Sequence, residues 1–243
     1  MERMTGSRLM LNEQIRKTMN KVLVIAPHAD DEVLGCGATI SKLAKEGNEV
    51  YVLICTNASV GAPELFGPEI IKQVRSESLE AHRMLGVKET FFLEFPAPVL
   101  DQYPRYKMSN EMAAIIRKIG ADTVYIPHRG DCHKDHAIIH ECAMVACRPV
   151  ANCTVKRVYA YETLSETEWG EPVAADFFVP VKYNTFTAEE FAVKLEAMSC
   201  FKSQLYPFPA SRSLEAIEAL SKYRGCTVSA ERAEAFEVLR EIE

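Results

Sequence analysis

The chain has 243 residues, 48% of them hydrophobic, and a formal net charge of −6 at pH 7. This length suits one large globular domain. The negative charge argues against a nucleic-acid partner, because proteins that bind a phosphate backbone neutralise it with basic patches. Most of the eight cysteines fall in apolar runs or helices, as buried thiols of a reducing compartment do. No apolar run is long enough to cross a bilayer and no secretory signal is present, so we expect a cytoplasmic protein without membrane contact.

Short apolar runs alternate with helical patterns in the first half of the chain. We predict four strands there, at residues 21–27, 49–56, 90–95 and 123–127. The predicted helices cover residues 37–46, 69–85, 109–119 and about 135–147. Asp135 is the expected N-cap of the last helix. This alternation predicts an α/β fold with a mostly parallel sheet that is covered by helices on both faces.

The pattern is weaker after residue 150. We predict two further strands, at residues 157–162 and 176–181. Three further helices are predicted at residues 185–199, 213–223 and 230–241. No change of composition marks a boundary, so we expect an N-terminal extension over residues 1–20 and a single domain over residues 21–243.

Two His/Asp clusters directly follow two of the predicted strands. His28, Asp30 and Asp31 follow the first strand, and His133 and His136 follow the fourth. Because parallel sheets bind ligands at the carboxyl ends of their strands, we expect both clusters to form one site. A turn brings His28 and Asp31 side by side, and His136 is the natural third ligand of a metal ion. Two imidazoles and one carboxylate with an open fourth position are typical of catalytic zinc, with other divalent transition metals as alternatives.

The remaining polar side chains of the two clusters have roles beside such an ion. Asp30 is a candidate general base because it lies next to the ligands. His133 is a candidate either to stabilise an oxyanion or to protonate a leaving amine. Asp131 or Asp135 can hydrogen-bond a ring N–H and so orient an imidazole. His140, four residues after His136, is at a spacing that also permits a zinc pair, but we expect it to serve packing or to support the metal ligands from behind.

The glycines Gly35 and Gly37 suggest a different site, a dinucleotide-binding loop. The Gly-x-Gly-x-x-Gly pattern requires a third glycine where this chain has Ile40. The acidic residues just before these glycines would also repel a pyrophosphate. We therefore predict a metal site rather than a nucleotide site at the end of the first strand.

The segment Pro27-His28-Ala29-Asp30-Asp31-Glu32 resembles the Ala-His-Pro-Asp-Asp-Glu signature of the PIG-L/LmbE-like zinc-dependent de-N-acetylases, and His133-Lys134-Asp135-His136 resembles their His-x-Asp-His signature. Weaker matches extend the resemblance over roughly residues 21–240. Ala29 replaces the usual proline, which should loosen the turn without removing a ligand. Some members carry a tyrosine where this chain has Asp131, so a role of that tyrosine does not transfer.

The resemblance implies a Rossmann-like three-layer sandwich with a metal site at the carboxyl ends of the strands. It also implies a zinc-dependent hydrolase that releases acetate from an N-acetylglucosamine-type sugar or glycoside. His28, Asp31 and His136 match the zinc ligands of the family, Asp30 matches its general base, and His133 matches the histidine that stabilises the oxyanion.

The resemblance assigns a substrate-hydroxyl contact to Arg75, with Asp101 as the alternative for the same contact. The expected partner is a small N-acetylated sugar, and the oligomeric state is open, although relatives are often homo-oligomers. Two other functions remain as alternatives. One is a metal-dependent hydrolase of another small amide or ester, and the other is a non-catalytic sugar- or nucleotide-binding module. The second is disfavoured because every residue that the chemistry needs is present.

Overall fold

A single mixed sheet forms the centre of the molecule in the computed structural model, which describes residues 19–150 and 152–243. Its strands are β1 (Lys21–Ala26), β2 (Glu49–Thr56), β3 (Glu89–Phe95), β4 (Thr123–Pro127), β5 (Arg157–Tyr161), β6 (Lys182–Phe186) and β7 (Arg232–Glu241). Their order in the sheet is β3-β2-β1-β4-β5-β7-β6. Strands β1 to β5 are parallel, whereas β7 is antiparallel to β5 and β6. The predicted mostly parallel α/β sheet is confirmed.

Helices cover both faces of this sheet. They are α1 (Asp31–Lys45), α2 (Ala58–Gly61), α3 (Pro68–Leu85), α4 (Arg105–Ile119), α5 (Lys134–Ala146), α6 (Ala188–Met198) and α7 (Leu214–Cys226). Alternate side chains of a strand point to opposite faces. Accordingly, Val22 and Val24 of β1 pack with α1, α3, α6 and α7, while Leu23 and Ile25 pack with α4 and α5. The two hydrophobic clusters confirm the three-layer sandwich.

Helix α1 begins earlier than the sequence pattern predicts, at Asp31 rather than at Gly37. The glycines of the suspected nucleotide loop therefore lie inside a helix. Gly35 packs against the ring of Tyr161, and a Cβ atom added at this position would approach Tyr161 Cδ2 to 2.2 Å. The Tyr161 hydroxyl in turn donates to the carbonyl oxygen of Ile25 at 2.9 Å. Gly35 thus lets the start of α1 lie close to β1 and β5.

Two predictions for the C-terminal third of the chain are wrong. Residues 176–181 were predicted as a strand, but the strand in this region is β6, which begins at Lys182. Residues 230–241 were predicted as a helix, and they form β7 instead. The segment is rich in helix-favouring residues, but as a strand it pairs on both sides and buries Phe236 completely. Helix propensity is a weak preference that such tertiary pairing overrides.

The boundary predictions elsewhere differ by a few residues, and the predicted extension over residues 1–20 lies outside the described residues except for its last two. In the described part of the chain, no helix has the length and apolar character that a membrane span requires. All eight cysteines are free. The cytoplasmic location stays a prediction.

The sheet topology brings the two His/Asp clusters together. Strands β1 and β4 are neighbours, but the chain leaves β1 for α1 on one face and leaves β4 for α5 on the other. Such a reversal of direction opens a crevice at the carboxyl ends of the two strands. Both clusters begin at this crevice.

Candidate active site

The turn between β1 and α1 positions the first cluster. The backbone N–H of His28 donates to Asp31 Oδ2 at 2.9 Å, which closes the turn. Between them, Asp30 has a φ of 126° and a ψ of −29°, a backbone conformation that residues with a Cβ rarely adopt. The turn thereby separates two neighbouring carboxyl groups. Both are buried, but Asp30 lines a pocket whereas Asp31 lies beside His136.

The second cluster is positioned by the start of α5. His133 is the N-cap of this helix, and its Nδ1 accepts the backbone N–H of Asp135 at 3.2 Å. The predicted N-cap, Asp135, is therefore wrong, because its carboxylate points across the crevice to His28 Nε2 at 3.3 Å. When Nδ1 of a neutral imidazole accepts a hydrogen bond, the proton is on Nε2. His133 can thus offer an N–H donor to the pocket that it lines.

His28, Asp31 and His136 form the candidate metal centre. One potential ligand atom from each lies within 4.8 Å of the other two. Asp31 Oδ2 is 3.3 Å from both His28 Nδ1 and His136 Nε2. Within the described residues, Asp31 Oδ1 and His136 Nε2 are buried without a hydrogen-bond partner. Buried polar atoms without partners are costly, and a cation at this point would satisfy both of them.

A second group of potential ligands shares His28 and adds His133 and Asp135. This group is less suited to a metal ion, because Nδ1 of His133 already caps α5 and its side chain is 38% exposed. The two unpartnered buried atoms belong to the first group. A set of two histidines and one aspartate also fits the donor chemistry of zinc or a similar transition metal.

The charges of the metal centre show how strongly these side chains interact. Burial raises the pKa of Asp31, but the imidazoles of His136 and His28 outweigh this effect and hold the pKa well below its usual range. Burial lowers the pKa of His28, yet hydrogen bonds to Asp135 and Asp31 raise it to about 9. The carboxylates of Asp31 and Asp135 therefore favour a positive charge next to them. A bound metal cation would supply this charge.

Asp131 orients the third ligand. Its Oδ2 atom accepts a hydrogen bond from His136 Nδ1 at 2.8 Å, and its Oδ1 atom accepts one from the Thr167 hydroxyl at 2.6 Å. Because Nδ1 of His136 donates, the lone pair on Nε2 is free to face Asp31 and the metal position. Of the two predicted orienting carboxylates, Asp131 therefore contacts His136 and Asp135 contacts His28.

Arg212 is a pocket residue that the sequence pattern did not predict. Its Nη1 donates to Asp30 Oδ2 at 3.0 Å, and its Nε donates to Ser165 Oγ at 2.6 Å. Burial raises the pKa of Asp30 to about 8, although the charge of Arg212 opposes this increase. Arg212 lies 182 residues from Asp30 in the chain and in an irregular loop, so no local pattern links the two.

A pocket with a volume of about 270 Å³ lies next to these groups. The polar side chains of its lining are His28, Asp30, Thr56, Arg75, His133, Glu166, Gln204 and Arg212. The lining also includes aliphatic side chains of α3, namely Ile70, Ile71 and Val74. Arg75 also donates to Glu94 and to the carbonyl oxygen of Leu93.

Two other predicted residues lie apart from this pocket. Asp101 is exposed on a short 3₁₀ helix and is not part of the pocket lining. His140 is buried, and its Nδ1 lies 2.8 Å from the carbonyl oxygen of Pro127. His140 therefore has a packing role at the end of β4.

Comparison with known proteins agrees with this geometry. The family model described as PIG-L: GlcNAc-PI de-N-acetylase matches residues 23–147. The uncharacterized deacetylase YaiS of Escherichia coli is 30% identical over 84% of this chain and 100% of its own length. A diacetylchitobiose deacetylase of Thermococcus kodakarensis is 27% identical over 76% of this chain and 70% of its own.

The solved structures include relatives of the same architecture. The N,N'-diacetylchitobiose deacetylase from Pyrococcus horikoshii has a TM-score of 0.74 at 22% identity and covers 99% of this chain and 95% of its own. At this identity the likeness supports the fold alone. The family match, in contrast, spans more than half of the chain and includes both His/Asp clusters. The chain therefore belongs to the PIG-L family of de-N-acetylases, which confirms the resemblance and the predicted enzyme class.

Proposed function

We propose that this protein is a zinc-dependent hydrolase that removes the N-acetyl group from an N-acetylglucosamine-type sugar or glycoside and releases acetate. The observation that carries the proposal is the pair of unpartnered buried atoms, Asp31 Oδ1 and His136 Nε2, beside a pocket that also contains Asp30. The printed name of the Thermococcus relative supports an N-acetylated sugar as the substrate.

His28, Asp31 and His136 would hold the metal ion. When bound, zinc would polarise the acetamide carbonyl and make a water molecule more acidic. Two imidazoles and one carboxylate also suit other divalent transition metals. The choice of zinc among these metals is therefore part of the proposal.

Asp30 acts as the general base in the proposed reaction. Its carboxylate takes a proton from the attacking water as the water oxygen bonds to the acetamide carbonyl carbon. Arg212 holds Oδ2 of this carboxylate at 3.0 Å and so orients the side chain toward the pocket. When the C–N bond breaks, the proton on Asp30 passes to the departing amine, and acetate and the free amino sugar are the products.

His133 stabilises the negative charge that develops on the carbonyl oxygen. Burial lowers the pKa of His133, which favours the neutral ring near pH 7. With Nδ1 occupied by the N–H of Asp135, the Nε2–H group is the available donor. A neutral donor suits hydrogen bonding to an oxyanion better than proton transfer to the amine.

The direct test is a screen for acetate release by the metal-loaded protein. N-Acetylglucosamine, N,N'-diacetylchitobiose and simple N-acetylglucosaminides are compared with acetyl esters and non-sugar acetamides. We expect release from the sugar amides, its loss with a chelator, and its recovery with added zinc. Activity confined to esters or other amides would support the alternative hydrolase, and sugar binding without any turnover would support a binding module.

Two substitutions test the proposed substrate contact. Because Arg75 lines the pocket and Asp101 does not, we expect Arg75→Ala to raise KM and Asp101→Ala to leave it nearly unchanged. Steady-state kinetics on the best sugar substrate measures both. A raised KM in Asp101→Ala alone would transfer the contact to Asp101.

A further inference from the structure

Glu32, the last acidic residue of the first motif, is neither in the pocket lining nor among the candidate metal ligands. It is 0% exposed and directly follows two other buried acids, Asp30 and Asp31. Three successive buried carboxyl groups repel one another when they are charged. If the position only required a packed side chain, an apolar residue would serve without that repulsion. The carboxylate therefore needs a specific reason.

The reason lies in the backbone of Asp30. Glu32 Oε2 accepts the backbone N–H of Asp30 at 3.1 Å. Asp30 is the residue with a φ of 126°, and such a conformation persists only where the surroundings enforce it. Within the described residues, Glu32 is the side chain that accepts this N–H.

Glu32 is itself fixed by a neighbouring helix and strand. Its Oε1 atom accepts a hydrogen bond from Nε2 of His82, a residue of α3 that is 2% exposed, at 2.8 Å. The other ring nitrogen, Nδ1, lies 2.8 Å from the hydroxyl of Thr90 in β3. The chain of contacts thus runs from β3 through α3 to the turn that carries Asp30.

We propose that Glu32, His82 and Thr90 are positioning residues that hold the strained backbone of Asp30, so that its carboxyl group faces the pocket while Asp31 faces the metal position. The inference rests on the proposed role of Asp30 as general base. None of the three residues lines the pocket, so all three act through Asp30.

The first test is His82→Ala in the zinc-loaded enzyme. Small misplacements of a reacting group are costly, so we expect kcat to fall by about 10- to 100-fold with KM and zinc content nearly unchanged. His82→Gln, whose amide can still donate to Glu32, should recover much of the loss. Thr90→Val keeps the shape of the side chain and should lower kcat by a smaller factor in the same direction.

His128→Ala is the matched control. His128 is also 2% exposed and its Nδ1 lies 2.9 Å from a carboxylate oxygen of Glu237, but it has no contact with Asp30. We expect this variant to lose thermal stability and to keep its kcat within about threefold of the wild-type value. If His82→Ala behaved in the same way, with a lower Tm and an unchanged kcat well below that Tm, the positioning role would be refuted.

Two further measurements separate this inference from the proposed function. In an Asp30→Asn background, His82→Ala should cause no further loss of kcat, because its effect passes through Asp30. Amide hydrogen exchange at Asp30 and Asp31 should be faster in His82→Ala than in wild type, a readout that needs no turnover. Unchanged exchange would overturn the inference even if activity fell. Normal turnover in Asp30→Asn itself would instead refute the general-base assignment. In that case the amide exchange rates would still test whether His82 and Glu32 hold the backbone of Asp30.

Discussion

Asp131 determines which ring nitrogen of His136 is free. By accepting from Nδ1, it leaves Nε2 toward Asp31, and the Thr167 hydroxyl holds the second oxygen of the same carboxylate. A side chain that does not touch the metal position thereby sets the direction of a ligand. The sequence predicts that Asp131 or Asp135 orients an imidazole. The structure shows that Asp131 contacts His136 and Asp135 contacts His28.

We expect Asp131→Ala to weaken zinc affinity by about 10- to 100-fold, because the His136 ring loses the contact that orients it. Competition with a chromogenic chelator measures the affinity. Thr167→Val, which removes only the contact to Asp131, should have a smaller effect. Equal affinity in Asp131→Ala and wild type would contradict this role.

Arg212 tunes the basicity of Asp30. Its positive charge lowers the pKa of this carboxyl group, which burial raises. Without that charge the pKa rises further, so the carboxylate form requires a higher pH. In Arg212→Met we therefore expect the acidic limb of the pH profile of kcat/KM to move upward by about one pH unit or more.

Arg212→Lys serves as the control for this prediction because it keeps the charge. Its acidic limb should stay closer to that of the wild type, even if the altered geometry lowers kcat. A profile of Arg212→Met that stayed in place, or that moved to lower pH, would show that Arg212 does not act on Asp30 electrostatically.

At the scale of elements, a buried ion pair ties α1 to α6 and β7. Lys194 donates to Glu234 and to the carbonyl oxygen of Leu34, both at 2.7 Å. Glu234 also accepts the backbone N–H groups of Ala38 and Thr39, at 3.0 and 2.7 Å. These contacts fix the helix whose first turn carries Asp31. They exist only because residues 232–241 form a strand, the element that helix propensity mispredicted.

Lys194→Met should destabilise the protein by about 3–5 kcal/mol, because Glu234 remains buried without its cation. The free energy of unfolding is measured by chemical denaturation, and the double variant Lys194→Met/Glu234→Gln should recover part of the loss. Lys222 forms an exposed pair with Glu218 and is the matched control. Lys222→Met should cost no more than about 1 kcal/mol. A comparable small loss in Lys194→Met would contradict the importance of the buried pair.

At the scale of the whole molecule, the metal position joins the two strand ends at the centre of the sheet. His28 and Asp31 follow β1, and His136 lies in α5 after β4. A ligand that binds only the folded protein stabilises it by about 2.7 kcal/mol at a concentration one hundred times its Kd. Metal binding should therefore stabilise the entire fold and not only the local turn.

We expect dialysis against a chelator to lower Tm by about 5–10 °C, and added zinc to restore it. Differential scanning calorimetry measures the change. A variant that lacks a ligand, such as His136→Asn, should show little response to zinc. A wild-type Tm that was insensitive to both treatments would argue against a metal ion at this position.

The sequence by itself determined the parallel part of the sheet, the family and the side chains that converge at the crevice. These features could be predicted from neighbouring residues in the chain. Each cluster directly follows an apolar strand, and parallel strands share one carboxyl edge. Tertiary structure decided what depends on distant partners. Arg212 reaches Asp30 from a remote loop, His82 supports Glu32 from another helix, and residues 232–241 become a strand because β5 and β6 flank them. Contacts between segments that are distant in the sequence produce no repeating pattern of residues. Local sequence patterns could therefore not predict them.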